Sequence, residues 1–341
     1  MNFTGAHILS INQFQREDVD RVFSVADKME PYALRKRVTR VLEGAILGNM
    51  FFEASTRTRV SFGSAFNLLG GEVRETAGFE NSALVKGESL QDTARVLSGF
   101  SDVICMRHPE AGSVADFAAA SRVPVLNGGD GANEHPTQAL LDLYTIRKEM
   151  SDKGRDIDGL SVAMIGDLRH GRTVHSLSKL LLLYNDIRVV LISPKELTLP
   201  DSIIESMRAA GVDVTVSHEL TQSIADVDIA YSTRIQEERF SSKQEADLYR
   251  GKFRLNQAIY TQYCQPNTVI MHPLPRDSRK DANELDSDLD DNPNLAIFRQ
   301  TDNGVLVRMA LFALVLDVAH KVDDFSHDVH WYNSRQSPSN S

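Results

Sequence analysis

Residues 51–62, FFEASTRTRVSF, set Ser55, Thr56, Arg57, Thr58 and Arg59 between an apolar run and a helix-like pattern. Hydroxyls, guanidinium groups and the first main-chain N–H groups of a helix together make an oxyanion site, suited above all to a phosphate. The competing reading is a capped helix with exposed arginines. Cations are unfavourable near a helix N-terminus, and two stand here.

Further polar motifs follow apolar runs in the same way. MRHP supplies Arg107, and EHPTQ supplies His135 with Gln138 one turn later, so both side chains can face one site. A neutral imidazole there can donate to a polarised carbonyl oxygen. GDLRHGRT, residues 166–173, follows the pattern of a nucleotide-binding P-loop with Arg172 in the lysine position. Asp167, directly after the first glycine, opposes a phosphate, and a guanidinium fork fits a carboxylate better than it replaces a point charge. STRIQEER carries Arg234, Gln236 and Arg239, with the first two on a common face of an extended chain; a solvated charged turn is the alternative. The two prolines of MHPLPR stiffen a segment whose carbonyls can accept from an –NH2 group. Lys86, in NSALVKGESL, reads from composition alone as a solvated loop lysine.

Elements that position these motifs are visible as alternating apolar runs and helical patterns. The alternation predicts α/β architecture: two doubly wound domains with mostly parallel sheets, and an active site in the cleft between them where strand ends converge. An amphipathic helix is expected over about 13–34, a helix closed by Gly70-Gly71 after the first motif, and another opening at Pro136. The polar stretch 151–159 marks the expected boundary between domains over 1–150 and 151–303. A strongly apolar helix follows over 304–322, and 323–341 reads as a polar, frayed tail. The acidic run ELDSDLDDNPN is expected as a solvated loop.

Length and composition fit this division. The chain has 341 residues, a net charge of -10, 42% hydrophobic and 25% charged residues. That acidity argues against a nucleic-acid surface. No apolar run nears a membrane span, and the start lacks a leader pattern, so a cytoplasmic location without membrane contact is expected. Cys105 and Cys264 are the only cysteines and lack metal-ligand spacing. Both are expected in strands as small apolar residues, and neither a metal nor a cofactor is called for.

FFEASTRTRVSF, SALVKGESL, MRHPEAGS, LNGGDGANEHPTQALLDLYTI, GDLRHGRTVHSL, TRIQEER, MHPLPR and NGVLVRMALFALVL occur in this order. Over residues 5–322 the chain thereby resembles the catalytic chains of the aspartate/ornithine carbamoyltransferase superfamily. The resemblance implies transfer of a carbamoyl group from carbamoyl phosphate to L-aspartate, an early step of pyrimidine synthesis. It makes 1–150 the carbamoyl-phosphate domain and 151–303 the aspartate domain, with the 304–322 helix packing back on the first. Ser55, Thr56, Arg57, Thr58 and Arg107 would hold the phosphate; Thr58, Arg107 and His135 the carbonyl oxygen. Gln138 and the carbonyls of Pro273 and Leu274 would hold the amide, and Arg172, Arg234 and Gln236 the aspartate carboxylates. Ser82 and Lys86 would enter a neighbouring subunit's site, which implies a homotrimer with shared active sites and leaves a regulatory chain open. His170 departs from the family pattern where an aromatic hydroxyl is expected, as does Val85 before Lys86. Ornithine as acceptor is the nearest rival, and HPLP with RIQEER favours a dicarboxylate over it. An anion-binding protein without turnover is the other.

Overall fold

The computed structural model describes residues 1–78, 87–131, 133–237, 240–279 and 282–332. In chain order the elements are α1 (Arg16–Ala33), β1 (Arg37–Thr39), β2 (Ile46–Phe51), α2 (Thr56–Leu68), β3 (Glu72–Ala77), α3 (Leu90–Leu97), β4 (Val103–His108), α4 (Ser113–Ala120), β5 (Val125–Asp130) and α5 (Pro136–Ser151). They continue with β6 (Ser161–Ile165), α6 (Arg172–Leu181), β7 (Arg188–Ile192), α7 (Asp201–Ala209), β8 (Asp213–Ser217), α8 (Leu220–Ser223), β9 (Ile229–Ser232), α9 (Lys243–Asp247), α10 (Gln257–Tyr263), β10 (Val269–Met271), α11 (Ile297–Val315) and β11 (Ser326–Asp328). The chain divides into two compact units, one of Met1–Thr137 with Asp302–Ser341 and one of Gln138–Thr301. Both changes of unit fall inside helices, α5 and α11.

In the first unit a parallel sheet runs β3-β2-β4-β5. Strands β4 and β5 are buried along their whole length, which is why VICMRH and VLNGGD read as runs rather than alternations. Helix α2 ends where the glycines require: Leu69 is the C-cap and Gly70 has φ +91. Phe62 and Phe66 of α2 meet Phe312 of α11 edge-on, at 6.0 and 5.0 Å between ring centroids. Arg308 lies over the Phe62 ring and donates to Ser61 Oγ at 2.7 Å. The polar tail is in part structured: Ser326–Asp328 pairs antiparallel with Arg37–Thr39, and Thr39 Oγ1 donates to the Val322 carbonyl.

The second unit carries a parallel sheet ordered β10-β9-β6-β7-β8. Its core includes Ile165, Ile192, Ile224, Ala230, Ile270 and Leu289. Two expectations are corrected here. Cys264 is the C-cap of α10 and not a strand residue, whereas Cys105 does lie in β4. Burial pushes the Cys264 thiol up to about 12, so it packs as an apolar group. The acidic run is also more than a solvated loop, because Leu285 and Leu289 are buried, Asp286 pairs with Arg254, and Asp288 accepts from Gln257 N. Among the described residues no helix is long and apolar enough to cross a membrane.

Candidate active site

In each sheet the strand order reverses once, between β2 and β4 in the first and between β6 and β9 in the second. Ligands of doubly wound sheets bind outside the carboxyl ends of strands at such reversals. The motifs follow that rule: the polar residues lie after β2, β4 and β5 in one unit and after β6, β9 and β10 in the other, three adjacent strands each.

After β2, Ser55 is the N-cap of α2 with extended backbone and makes no side-chain cap bond, and no acid stands in the first helical turn. Thr56 and Arg57 are exposed and Ser55 and Thr58 half-buried, so the turn presents hydroxyls and a guanidinium at the positive end of the helix. The second arginine has a different task. Arg59 Nη1 donates to Glu75 Oε2 at 2.7 Å, while Asn49 Nδ2 donates to both the Arg59 carbonyl and Glu75 Oε1. It ties the helix to β2 and β3, a structural task distinct from that expected of Arg57.

Arg107 is the penultimate residue of β4, with only 8% of its surface exposed. Its Nη2 lies 2.8 Å from Glu53 Oε2, in the turn after β2, and its Nη1 donates to the Gly128 carbonyl of β5 at 3.4 Å. Glu53 was not singled out in the sequence, although the acid of EASTR stands one strand away from the arginine it meets. His135, 3% exposed, immediately precedes α5. Next to it Glu134 accepts from Ile11 N at 2.8 Å, a long-range bond that fixes the turn. Neighbouring His108 is held below its usual range mainly by burial, and its Nδ1 accepts from Glu110 N. This shapes the bulged end of β4.

In the second unit, Gly166 adopts φ +112 and its position is so close to β9 that a Cβ would lie 2.2 Å from the Thr233 carbonyl oxygen. That close approach brings the two arginine-bearing turns together. Asp167, fully buried, accepts from His170 N and from Gln236 N, each at 3.1 Å, and lies 3.1 Å from His170 Nδ1. One carboxylate therefore holds the turn before α6 to the segment after β9. Arg172 is the first residue of α6, and Arg234 donates through Nη1 to the Ile235 carbonyl; both are half-buried. His170, the departure noted above, packs against Phe240 at 4.9 Å.

Gln138 points its Nε2 along α5 to Asp142 Oδ1, at 2.9 Å. Pro273 and Leu274 follow β10, Leu274 at φ +58, and are held by His272, whose Nδ1 accepts from Leu274 N at 2.8 Å and whose Nε2 lies 2.7 Å from Glu284 Oε1. Ser82, Val85, Lys86 and Arg239 lie outside the described residues.

Two parallel-sheet units, each carrying arginines on the turns that follow its strands at the reversal, have the architecture of a two-domain transferase. Residues 6–148 match the model of the aspartate/ornithine carbamoyltransferase carbamoyl-P binding domain and 158–315 that of the Asp/Orn binding domain, so the chain belongs to the aspartate/ornithine carbamoyltransferase family. It is 76% identical to the aspartate carbamoyltransferase catalytic subunit of Cellvibrio japonicus over 98% of this chain and 99% of that one. The catalytic subunit of Methanocaldococcus jannaschii aspartate transcarbamoylase superposes with a TM-score of 0.82 at 41% identity, covering 91% of this chain and 98% of that one. Trypanosoma cruzi aspartate transcarbamoylase in complex with carbamoyl phosphate and aspartate gives 0.83 at 36% identity, with 92% and 96% covered.

Proposed function

We propose that this chain is an aspartate carbamoyltransferase, which transfers the carbamoyl group of carbamoyl phosphate to the amine of L-aspartate to give N-carbamoyl-L-aspartate and phosphate. The observation that carries the reading is the division of labour between the two strand reversals. One offers an acid-free helix start with hydroxyls, and the other offers Arg172, Arg234 and Gln236 on two turns that Asp167 links through the His170 and Gln236 N–H groups. The similarity to relatives named for this activity supports it.

In this reading Ser55, Thr56, Arg57, Thr58 and Arg107 bind the phosphate. Thr58, Arg107 and His135 stand at the carbonyl oxygen, which gains charge as the amine attacks the carbonyl carbon. The C–N bond forms, the C–O bond to phosphate breaks, and phosphate leaves with the electron pair and takes up the proton that the amine loses; no covalent enzyme intermediate is required. Gln138 with the carbonyls of Pro273 and Leu274 holds the amide. Arg172, Arg234 and Gln236 hold the two carboxylates of aspartate. Holding the two substrates in a fixed mutual orientation can contribute on the order of 7–11 kcal/mol.

The further elements of the reading are a cytoplasmic place in pyrimidine synthesis and a homotrimer in which Ser82 and Lys86 complete a neighbour's site, with or without a regulatory chain. Phosphate release and N-carbamoyl-aspartate formation, measured with aspartate and in parallel with ornithine, test the activity. Turnover with ornithine and none with aspartate would overturn it. Sharing is tested by reassembling inactive Arg57→Ala and Lys86→Ala chains. Mixed trimers should recover activity, because a Lys86→Ala subunit that receives the loop of an Arg57→Ala subunit has a complete site. No recovery in hybrids confirmed by mass would place each site within one subunit.

A further inference from the structure

Asp142 is a lone acid in the apolar run ALLDLYTI of α5 and is fully buried. Three side-chain donors converge on it, one from its own helix and two from distant parts of the second unit. Gln138 Nε2 reaches Oδ1 at 2.9 Å, Gln300 Nε2 reaches the same oxygen at 2.6 Å, and the Tyr231 hydroxyl donates to Oδ2 at 2.7 Å. Burial first, then the neighbouring Asp142, holds the Tyr231 phenol well above its usual range, so it keeps the proton it donates. The direction of the amides follows from this arrangement. A carboxylate only accepts, so each glutamine must turn its NH2 toward Asp142 and its carbonyl oxygen away. For Gln300 the other end agrees, because its Oε1 accepts from His272 N at 3.0 Å. His272 in turn holds Leu274 N through Nδ1.

We propose that Asp142 is a positioning residue that makes the site read a primary amide. It presents the Gln138 carbonyl as an acceptor directly, and aims the Pro273 and Leu274 carbonyls through Gln300 and His272. The proposal rests on the carbamoyl-transfer reading above. Three acceptors aimed at one –NH2 group favour carbamoyl phosphate over an acyl phosphate with a methyl group in that place, since the methyl leaves them unpaired. Asp142 touches no substrate. Its role is to exclude the flipped Gln138, whose NH2 would repel the substrate's own.

The test compares wild type, Asp142→Asn, Tyr231→Phe and Gln300→Met for calorimetric affinity toward carbamoyl phosphate, acetyl phosphate and inorganic phosphate. Carbamoyl transfer to aspartate is followed alongside. Asp142→Asn can present its NH2 to Gln138 and so permits the flip. Its preference for carbamoyl over acetyl phosphate should fall at least about tenfold, with phosphate affinity within about twofold of wild type. Tyr231→Phe leaves the Oδ1 bonds in place, so it should lower Tm while keeping the preference within about twofold. A folded Asp142→Asn with undiminished preference overturns the proposal, and so does a Tyr231→Phe variant that loses the preference equally, since general packing would then explain both. If Asp142→Asn does not fold, Gln300→Met decides in its place: severing the link to His272 should lower the preference several-fold, and no change overturns the proposal. Wild type that binds acetyl phosphate as well as carbamoyl phosphate would instead remove the carbamoyl-transfer reading itself.

Discussion

The turn after β2 and the turn after β6 each leave a parallel strand, carry an arginine at or near the start of a helix and have no acid in its first turn. They differ in what fills the space in front of the backbone N–H groups. After β6 the chain brings its own carboxylate: Asp167 accepts from His170 N and, across the reversal, from Gln236 N. After β2 the corresponding acid, Glu53, lies against Arg107 of the next strand, and the N-cap Ser55 makes no side-chain cap bond. Two strand-to-helix turns that look alike in sequence thus differ in whether an internal carboxylate accepts from the backbone N–H groups of the turn.

The sharpest way to break this comparison is Arg57→Ala. Removing a charge-assisted contact to a departing phosphate should lower kcat/KM by about a hundredfold with the fold intact, as judged by circular dichroism. A near-normal rate would show that the first turn is not the phosphate site. Gly166→Ala tests the second turn's construction. With φ +112 and the Thr233 carbonyl in the way, the added methyl should cost about 3 kcal/mol or more, read from the denaturation midpoint. An unchanged midpoint would mean that the two strand ends part easily. Arg234→Ala should raise the KM for aspartate about tenfold or more while calorimetric affinity for carbamoyl phosphate stays near wild type. Parallel loss of both would assign Arg234 to the first substrate.

A pH series sharpens the account of the 234–237 segment. Arg279, then Arg250, hold the Glu237 carboxyl below its usual range. A depressed carboxylate stabilises the fold above its unfolded pKa, and the gain fades as pH falls through the folded one. Glu237→Gln should therefore be less stable than wild type at neutral pH, with the gap closing in acid; a gap independent of pH would exclude the ion pairs as its source. The smallest effect belongs to Arg59→Ala. Its partly exposed pair with Glu75 is worth under about 1 kcal/mol, and turnover should be close to wild type. A collapse of activity comparable to that of Arg57→Ala would erase the distinction between the two arginines.

Local patterns carried much of this. Alternating runs announced two parallel sheets, and Gly70 and Pro136 marked helix ends. What stayed hidden depends on pairing between distant residues. Arg57 and Arg59 look equivalent until β3 brings Glu75 beside one of them. Asp142 has partners 89 and 158 positions away along the chain, and only its isolation in an apolar helix hinted at them. Asp167 was read as an argument against phosphate, and the bond it accepts from Gln236 needed the reversal that sets β9 beside β6. The structured part of the tail escaped notice because SHD has no strand pattern of its own; Arg37–Thr39 supplies the register.

The first unit is assembled from the two ends of the chain, and the second from a continuous stretch between them. On a ribosome the order of completion is therefore inverted. Residues 138–301 can close as soon as they emerge, whereas Phe62 and Phe66, made long before, wait for Phe312, and β1 waits for residues 326–328. Until then the face of α2 that α11 covers stays open to water, directly behind the turn that bears Arg57. A nascent chain thus has all the residues of its second unit before those of its first, although the first begins the sequence.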